Sequence, residues 1–121
     1  MASVMGSVEL RGLRCAATQG NPPQATLLMV DVRIELDLGR VAETDAFEDV
    51  VDLAALADSV RASVAAQPRK LLETIAVAAA GDVLARYSIV QRVTFRLTKP
   101  EPAGLDAAEE AVELTLSRAS P

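Results

Sequence analysis

Between positions 26 and 37 the chain alternates: Val30, Val32, Ile34 and Leu36 interleave with Asp31, Arg33, Glu35 and Asp37. A β-strand projects successive side chains to opposite faces, so this segment has one apolar face and one charged face. It belongs in a sheet that is covered on one side and wet on the other, as antiparallel sheets commonly are.

The remaining segments fit around that strand. Residues 7–14 read as a strand with Val8 and Leu10 toward the core, and Arg11-Gly12-Leu13 as a bulge, because a glycine inside a strand often marks one. Residues 18–24, with Pro22 and Pro23 in succession, read as a loop. Asp49 reads as a helix N-cap, with Asp52 three residues on as an aspartate version of the capping box. Spacing of i, i+3, i+4 then puts Leu53, Leu56, Ala57 and Val60 on one helix face. Gln67-Pro68 breaks that helix, and a second over about 69–86 turns Leu72, Ile75, Ala76, Ala79 and Val83 inward. Strands at 89–99 and 111–118, joined by a mobile-looking connection, complete the order ββααββ. That order predicts an α+β domain, an antiparallel sheet with two helices on one face.

At 121 residues the chain has room for one core, in a single domain over 7–118. Half the residues are hydrophobic, mostly Ala, Val and Leu, with two Phe, one Tyr and no Trp. A core of small aliphatics often gains stability by burying faces against copies of itself. The net charge of −5, without a basic patch interleaved with aromatics, argues against nucleic acid as a partner. The absence of histidine removes imidazole acid–base catalysis, Ser-His-Asp arrangements and the usual zinc sites. Cys15 is alone, which fits a reducing compartment and a small buried residue better than a nucleophile. Residues 1–6 lack the basic and apolar regions of a signal peptide, and apolar runs such as 75–81 are too short to cross a bilayer. A soluble, cytoplasmic domain with no membrane partner is expected.

Two residues stand out as candidates for chemistry. Lys99, one of two lysines, ends the run Val93-Thr94-Phe95-Arg96-Leu97-Thr98-Lys99 on the same face as Val93, Phe95 and Leu97. An ammonium in that row must find a partner, reach water or lose its proton. Pro100 follows, placing the lysine at the mouth of a strand. The competing reading is an apolar stem that packs while the charged head reaches solvent. Glu73, next to inward-facing Leu72, can accept two parallel N–H bonds from a planar amidine-like or guanidine-like edge. Its competing reading is a first-turn glutamate favoured by the helix dipole.

In sequence order, Val8-Glu9-Leu10-Arg11-Gly12-Leu13, Val30-Asp31-Val32-Arg33-Ile34-Glu35-Leu36-Asp37, Thr44-Asp45-Ala46-Phe47-Glu48-Asp49-Val50-Val51-Asp52, Lys70-Leu71-Leu72-Glu73-Thr74-Ile75-Ala76, Thr98-Lys99-Pro100 and Leu114-Thr115-Leu116-Ser117-Arg118 resemble the dihydroneopterin aldolase family. The resemblance spans nearly the whole chain. It implies the tunnelling fold, whose protomers join their sheets into a ring barrel, here a homotetramer or a stacked homo-octamer with sites between subunits. It further implies that Glu73 clamps the amino-pyrimidine edge of a pterin and that backbone groups around Val51 and Leu72 help to hold the ring. Lys99 would take part in proton transfer as a C–C bond in the pterin substituent breaks. The pterin ring is its own electron sink, so no Schiff base, metal or external cofactor is expected.

The protein also departs from the family. Leu53 stands where the family has a catalytic tyrosine, and Gln19-Gly20 stands for a His-Gly pair. Asn21-Pro22-Pro23-Gln24 is shorter than the family loop and lacks its glutamate, and Ala25-Thr26 replaces a Gly-Gln step. Gln19 and Leu53 thus join Val51, Leu72 and Glu73 as expected substrate-contacting positions, with Lys99 and Glu73 as the catalytic pair. A glutamine at 19 or 24 can position water but cannot take its proton. Tyr87 is read as structural. The expected function is lyase chemistry related to folate biosynthesis: aldol, retro-aldol or cyclisation on a dihydropterin or another flat conjugated carbonyl or heterocycle, in a specialised biosynthetic pathway. The alternatives are a non-catalytic pterin-binding or accessory subunit, and a pterin side-chain epimerase.

Overall fold

The computed structural model describes residues 3–118; Met1 and Ala2, at the head of the segment read for a targeting signal, lie outside them. Strands β1 (Met5–Gln19), β2 (Gln24–Asp37), β3 (Val90–Pro100) and β4 (Glu109–Ser117) form one antiparallel sheet in the order β1-β2-β3-β4. A short helix α1 (Gly39–Thr44), a 3-10 turn (Phe47–Asp49) and helices α2 (Leu53–Ala65) and α3 (Leu72–Arg86) connect β2 to β3. This is the expected α+β layout. No helix among the described residues is long and apolar enough to cross a membrane.

The alternation in β2 builds the core. Val30, Val32, Ile34 and Leu36 are sealed from solvent and pair in register with β3: Val30 with Leu97, Val32 with Phe95, Ile34 with Val93. Over them lie Leu56, Val60 and Val64 of α2 and, from α3, Leu72, Ile75, Ala76, Ala79, Ala80, Val83 and Leu84. Four of those α3 residues are alanine or valine, so the helix can approach the sheet closely. Phe95 is the largest fully buried side chain, and truncating such a residue to Ala costs about 3–5 kcal/mol. On the uncovered face Glu9, Arg11, Asp31, Arg33, Arg96 and Glu113 mix both signs of charge.

Several local expectations need correction. Both strands of the first hairpin run past their predicted ends, so the loop shrinks to a four-residue turn, Gly20 to Pro23. The bulge is present: the β1–β2 register shifts between Leu10 and Leu13, Gly12 has φ of +69°, and its N–H donates to Asp31 Oδ1 at 2.8 Å. Asp49 is not the N-cap of α2. Val50 is extended, and the helix starts at Leu53 with Asp52 as cap, whose Oδ1 accepts from the Ala54 and Ala55 N–H groups at 2.9 and 3.2 Å. Asp49 instead accepts from Thr44 Oγ1 and Arg40 Nε, fastening α1, an element the periodicity did not announce. Leu53, at the first position of α2, is 37% exposed and does not join the inward face. The second helix begins at Leu72 rather than 69, because Arg69 bonds to β1: its N–H donates to Thr18 O and its carbonyl accepts from Gly20 N–H. Pro100 does not cut the ladder at Lys99; it pairs with Glu109.

At the far end Arg118 fastens α3 to the sheet, its guanidinium donating to the carbonyls of Leu84, Tyr87 and Val90. Tyr87 packs against the core with its hydroxyl buried and, among the described residues, without a partner.

Candidate functional site

The clasp between β1 and the segment entering α3 sets the site. Gln19 ends the inner row of β1 and is 8% exposed, the one buried polar side chain among the described residues. Its Nε2 donates to the Lys70 carbonyl at 2.6 Å, and its Oε1 accepts from Lys99 Nζ at 2.7 Å. An amide has both a donor and an acceptor, and this one has each engaged, as a buried amide requires. Two further bonds, between Gly20 and Arg69 and between Arg69 and Thr18, hold the same segments together.

Lys99 is half-buried on β3, its ammonium reaching back under the entrance of α3. Neither reading of the lysine is complete by itself: the stem packs, and the head has a defined partner. Three residues beyond Lys70, Glu73 lies exposed in the first turn of α3, beside buried Leu72. Among the described residues no side chain caps the N-terminus of α3, so the first amides there are open for another acceptor. Gln19, Lys99, Leu72 and Glu73 therefore gather at one end of the sheet.

Val51 and Leu53 do not. They line an apolar cavity of about 760 Å³ with Val8, Ile34, Leu36 and Phe47, the last of these 92% exposed. From Val93, the partner of Ile34, to Lys99 the strand advances about 20 Å at ~3.3 Å per residue. The residues expected to share one site thus form two groups at opposite ends of the protomer.

Sequence reasoning missed three participants. Phe47 shows in the sequence only as one member of a longer motif. The Lys70 carbonyl acquires its role only once the helix start is known. Glu110 pairs with Lys99 across the β3–β4 ladder, half-buried on the same face, and becomes visible once the strand register is drawn. Cys15 is fully buried, and burial pushes its thiol up, which suits a core residue and not a nucleophile. No group of three or more His, Cys, Asp or Glu side chains able to hold a metal ion occurs among the described residues.

The family model for dihydroneopterin aldolase matches residues 8–115. A dihydroneopterin aldolase of Bacillus subtilis (strain 168) is 38% identical over 73 residues, 60% of this chain, and the match spans 61% of that protein. The structure of E. coli dihydroneopterin aldolase in complex with neopterin superposes with a TM-score of 0.82 at 25% identity, covering 93% of this chain and 99% of that one. The Burkholderia thailendensis dihydroneopterin aldolase bound to guanine gives a TM-score of 0.80 at 24% identity, with 95% and 93% covered. Motif order, tunnelling fold and family model coincide over almost the whole length, and the chain belongs to the dihydroneopterin aldolase family.

Proposed function

We propose that this protein is an aldolase-like lyase that breaks or makes a C–C bond beside a flat, electron-accepting heterocycle, a dihydropterin or a relative, using its own side chains as acid and base. The observation that carries the reading is the placement of Lys99, its ammonium fixed two hydrogen bonds from the segment that leads into Glu73.

The chemistry asks for little more. In the retro-aldol direction a base takes the proton of a hydroxyl on the ring substituent, and the adjacent C–C bond breaks to leave an aldehyde. The electron pair enters the conjugated ring imine, and a proton returns to the ring-side carbon. The products contain the atoms of the substrate, nothing is oxidised or reduced, and the ring takes the place of a cofactor. Lys99 moves the proton. Glu73 accepts two parallel N–H bonds from the amino-pyrimidine edge, an edge that guanine also possesses, and the open amides at Leu72 assist.

The separation of the two groups favours sites between subunits. Val51 and Leu53 of one copy would meet Lys99, Gln19, Leu72 and Glu73 of the next. In β1, Val8, Leu10 and Leu13 are only partly covered, as are Val112, Leu114 and Leu116 of β4, and both edges keep unpaired backbone groups. Joining edge to edge would bury them in a homotetrameric ring, or in a homo-octamer of two rings.

The test is incubation with 7,8-dihydroneopterin and chromatography for 6-hydroxymethyl-dihydropterin and glycolaldehyde, with Lys99→Ala in parallel. Product from the wild type alone is the expected result. Leu53, which has no proton to exchange where the family has a phenol, favours a second reading as a non-catalytic pterin-binding or accessory subunit; bound pterin without turnover would select it. An inverted carbon in the ring substituent without cleavage would select an epimerase.

A further inference from the structure

We propose that Gln19 is the positioning residue of Lys99, holding the lysine head against the entrance of α3 in both of its protonation states. This rests on the reading of Lys99 as the proton carrier. It assigns Gln19 a task other than contact with substrate.

The amide cannot turn over freely. With Nε2 donating to Lys70 O at 2.6 Å, Oε1 must face Lys99, and there it accepts at 2.7 Å. The bridge joins β1, β3 and the start of α3, segments 51 and 80 residues apart in the sequence. Burial of Gln19 keeps water from competing for either bond. An amide oxygen is neutral, and it accepts an N–H from an ammonium or from an amine. The lysine can give up its proton and still have one N–H for Gln19. A carboxylate in that place would favour the charged form over the neutral one.

The other groups around Lys99 leave this task to Gln19. Glu110 lies across the ladder on β4, Glu73 is exposed on α3, and Glu101 is exposed past the end of β3. On β2, Leu28 follows next in the register after Met29–Thr98, and it is apolar and fully buried. Gln19 is the partner that bonds to both the lysine and the helix entrance.

The test uses the full-length protein labelled at lysine 13Cε, where two lysines give two signals. Gln19→Leu removes both bonds at similar volume; Gln19→Glu keeps an oxygen for the lysine and loses the donor to Lys70 O. Gln91→Leu, exposed at the opposite end of β3, is the control. In the wild type and in Gln19→Glu the Lys99 signal is expected to show an ordered side chain, and in Gln19→Leu a mobile one. In turnover, Gln19→Leu is expected to lower kcat on the order of 10²-fold, the cost of a misplaced reacting group, with KM within about twofold. A Lys99 signal equally ordered in Gln19→Leu would overturn the proposal, as would a raised KM with unchanged kcat, which would make Gln19 a substrate contact. Wild-type protein that turns nothing over, but whose Lys99 loosens in Gln19→Leu, would overturn the lyase reading and uphold the positioning role.

Discussion

Lys99 and Glu110 occupy paired positions across the β3–β4 ladder, both half-buried on the helix-covered side, yet the hydrogen bond from the lysine goes to Gln19. A directly opposed pair of unlike charges contributes only about 0.2–1 kcal/mol to a sheet. The pairing with Glu110 is therefore a small part of what holds the fold together, and under the proposed function the lysine is a large part of what the site does. Lys99→Ala is expected to lower kcat by about 10²–10⁴-fold, with the oligomeric state kept and stability falling by no more than about 1–3 kcal/mol, for the Gln19 oxygen it leaves unpartnered. Steady-state kinetics beside a thermal melt decides this: a large loss of stability with turnover retained would reverse the assignment.

Glu73 is exposed and takes no part in the core, so its removal should be silent until ligand is added. Glu73→Gln keeps the size and removes the charge that would strengthen the two bonds proposed to the ligand edge. Hydrogen bonds to charged groups contribute about 1.5–3 kcal/mol, so calorimetric titration with neopterin should show binding weakened roughly 10- to 150-fold. Equal affinity would place the pterin edge elsewhere.

Leu53 lines the apolar cavity and keeps 37% of its surface in solvent, so a larger ring can be accommodated there. Leu53→Tyr places a phenol at the position where the resemblance to the family expects one. A single acid–base group is worth about 10²–10⁴-fold, and kcat for 7,8-dihydroneopterin should rise at least tenfold. No gain, with the fold intact by circular dichroism, would show that the phenol alone does not reach the reacting atoms.

Asp49 accepts from Thr44 Oγ1 at 2.6 Å and from Arg40 Nε at 2.7 Å, and these bonds hold its carboxyl below the usual range, the threonine contributing most. The unfolded polypeptide then binds the proton more readily than the folded one. The stabilisation is fully present above the ordinary carboxylate value of about 4 and is lost as pH falls through the lower, folded value. Asp37 behaves alike, through the N–H groups of Gly39 and Val4. In denaturant titrations at stepped pH, Asp49→Asn should show a shallower loss of stability below pH 4 than the wild type, with the Asp37 part remaining. Identical acid limbs would mean that the α1 fastening is absent in solution.

What could be read from sequence was what repeats locally. The alternation of Val30, Val32, Ile34 and Leu36 located the central strand, and i, i+3, i+4 spacing found Leu56, Val60, Ile75, Ala76 and Ala79. The glycine inside the first strand marked its bulge. Asp49 and Asp52 offer the same carboxylate three residues apart, and only the extended backbone at Val50 decides which one caps the helix. The start of α3 was misplaced because Arg69 is held by β1, a contact with no local signature. The same holds for the site. Motif order pointed to Lys99 and Glu73, but the amide that ties the lysine to the helix entrance depends on residues far apart in the sequence. The split of Val51 and Leu53 from Lys99 follows from sheet length, which the motifs do not state.

The bulge at Gly12 has a consequence some distance from itself. Ahead of it the even-numbered residues of β1, Val8 and Leu10, point under the helices; behind it the odd-numbered ones do, Leu13, Cys15, Ala17 and Gln19. One inserted residue reverses the parity of everything that follows. Were the strand to run flat through Gly12, with the residue kept and the bulge lost, Thr18 would take the inner place and Gln19 would look out over the charged face. The small irregularity near the start of β1 is thus what aims an amide at the lysine on β3, and the site at one end of the sheet is phased from the other.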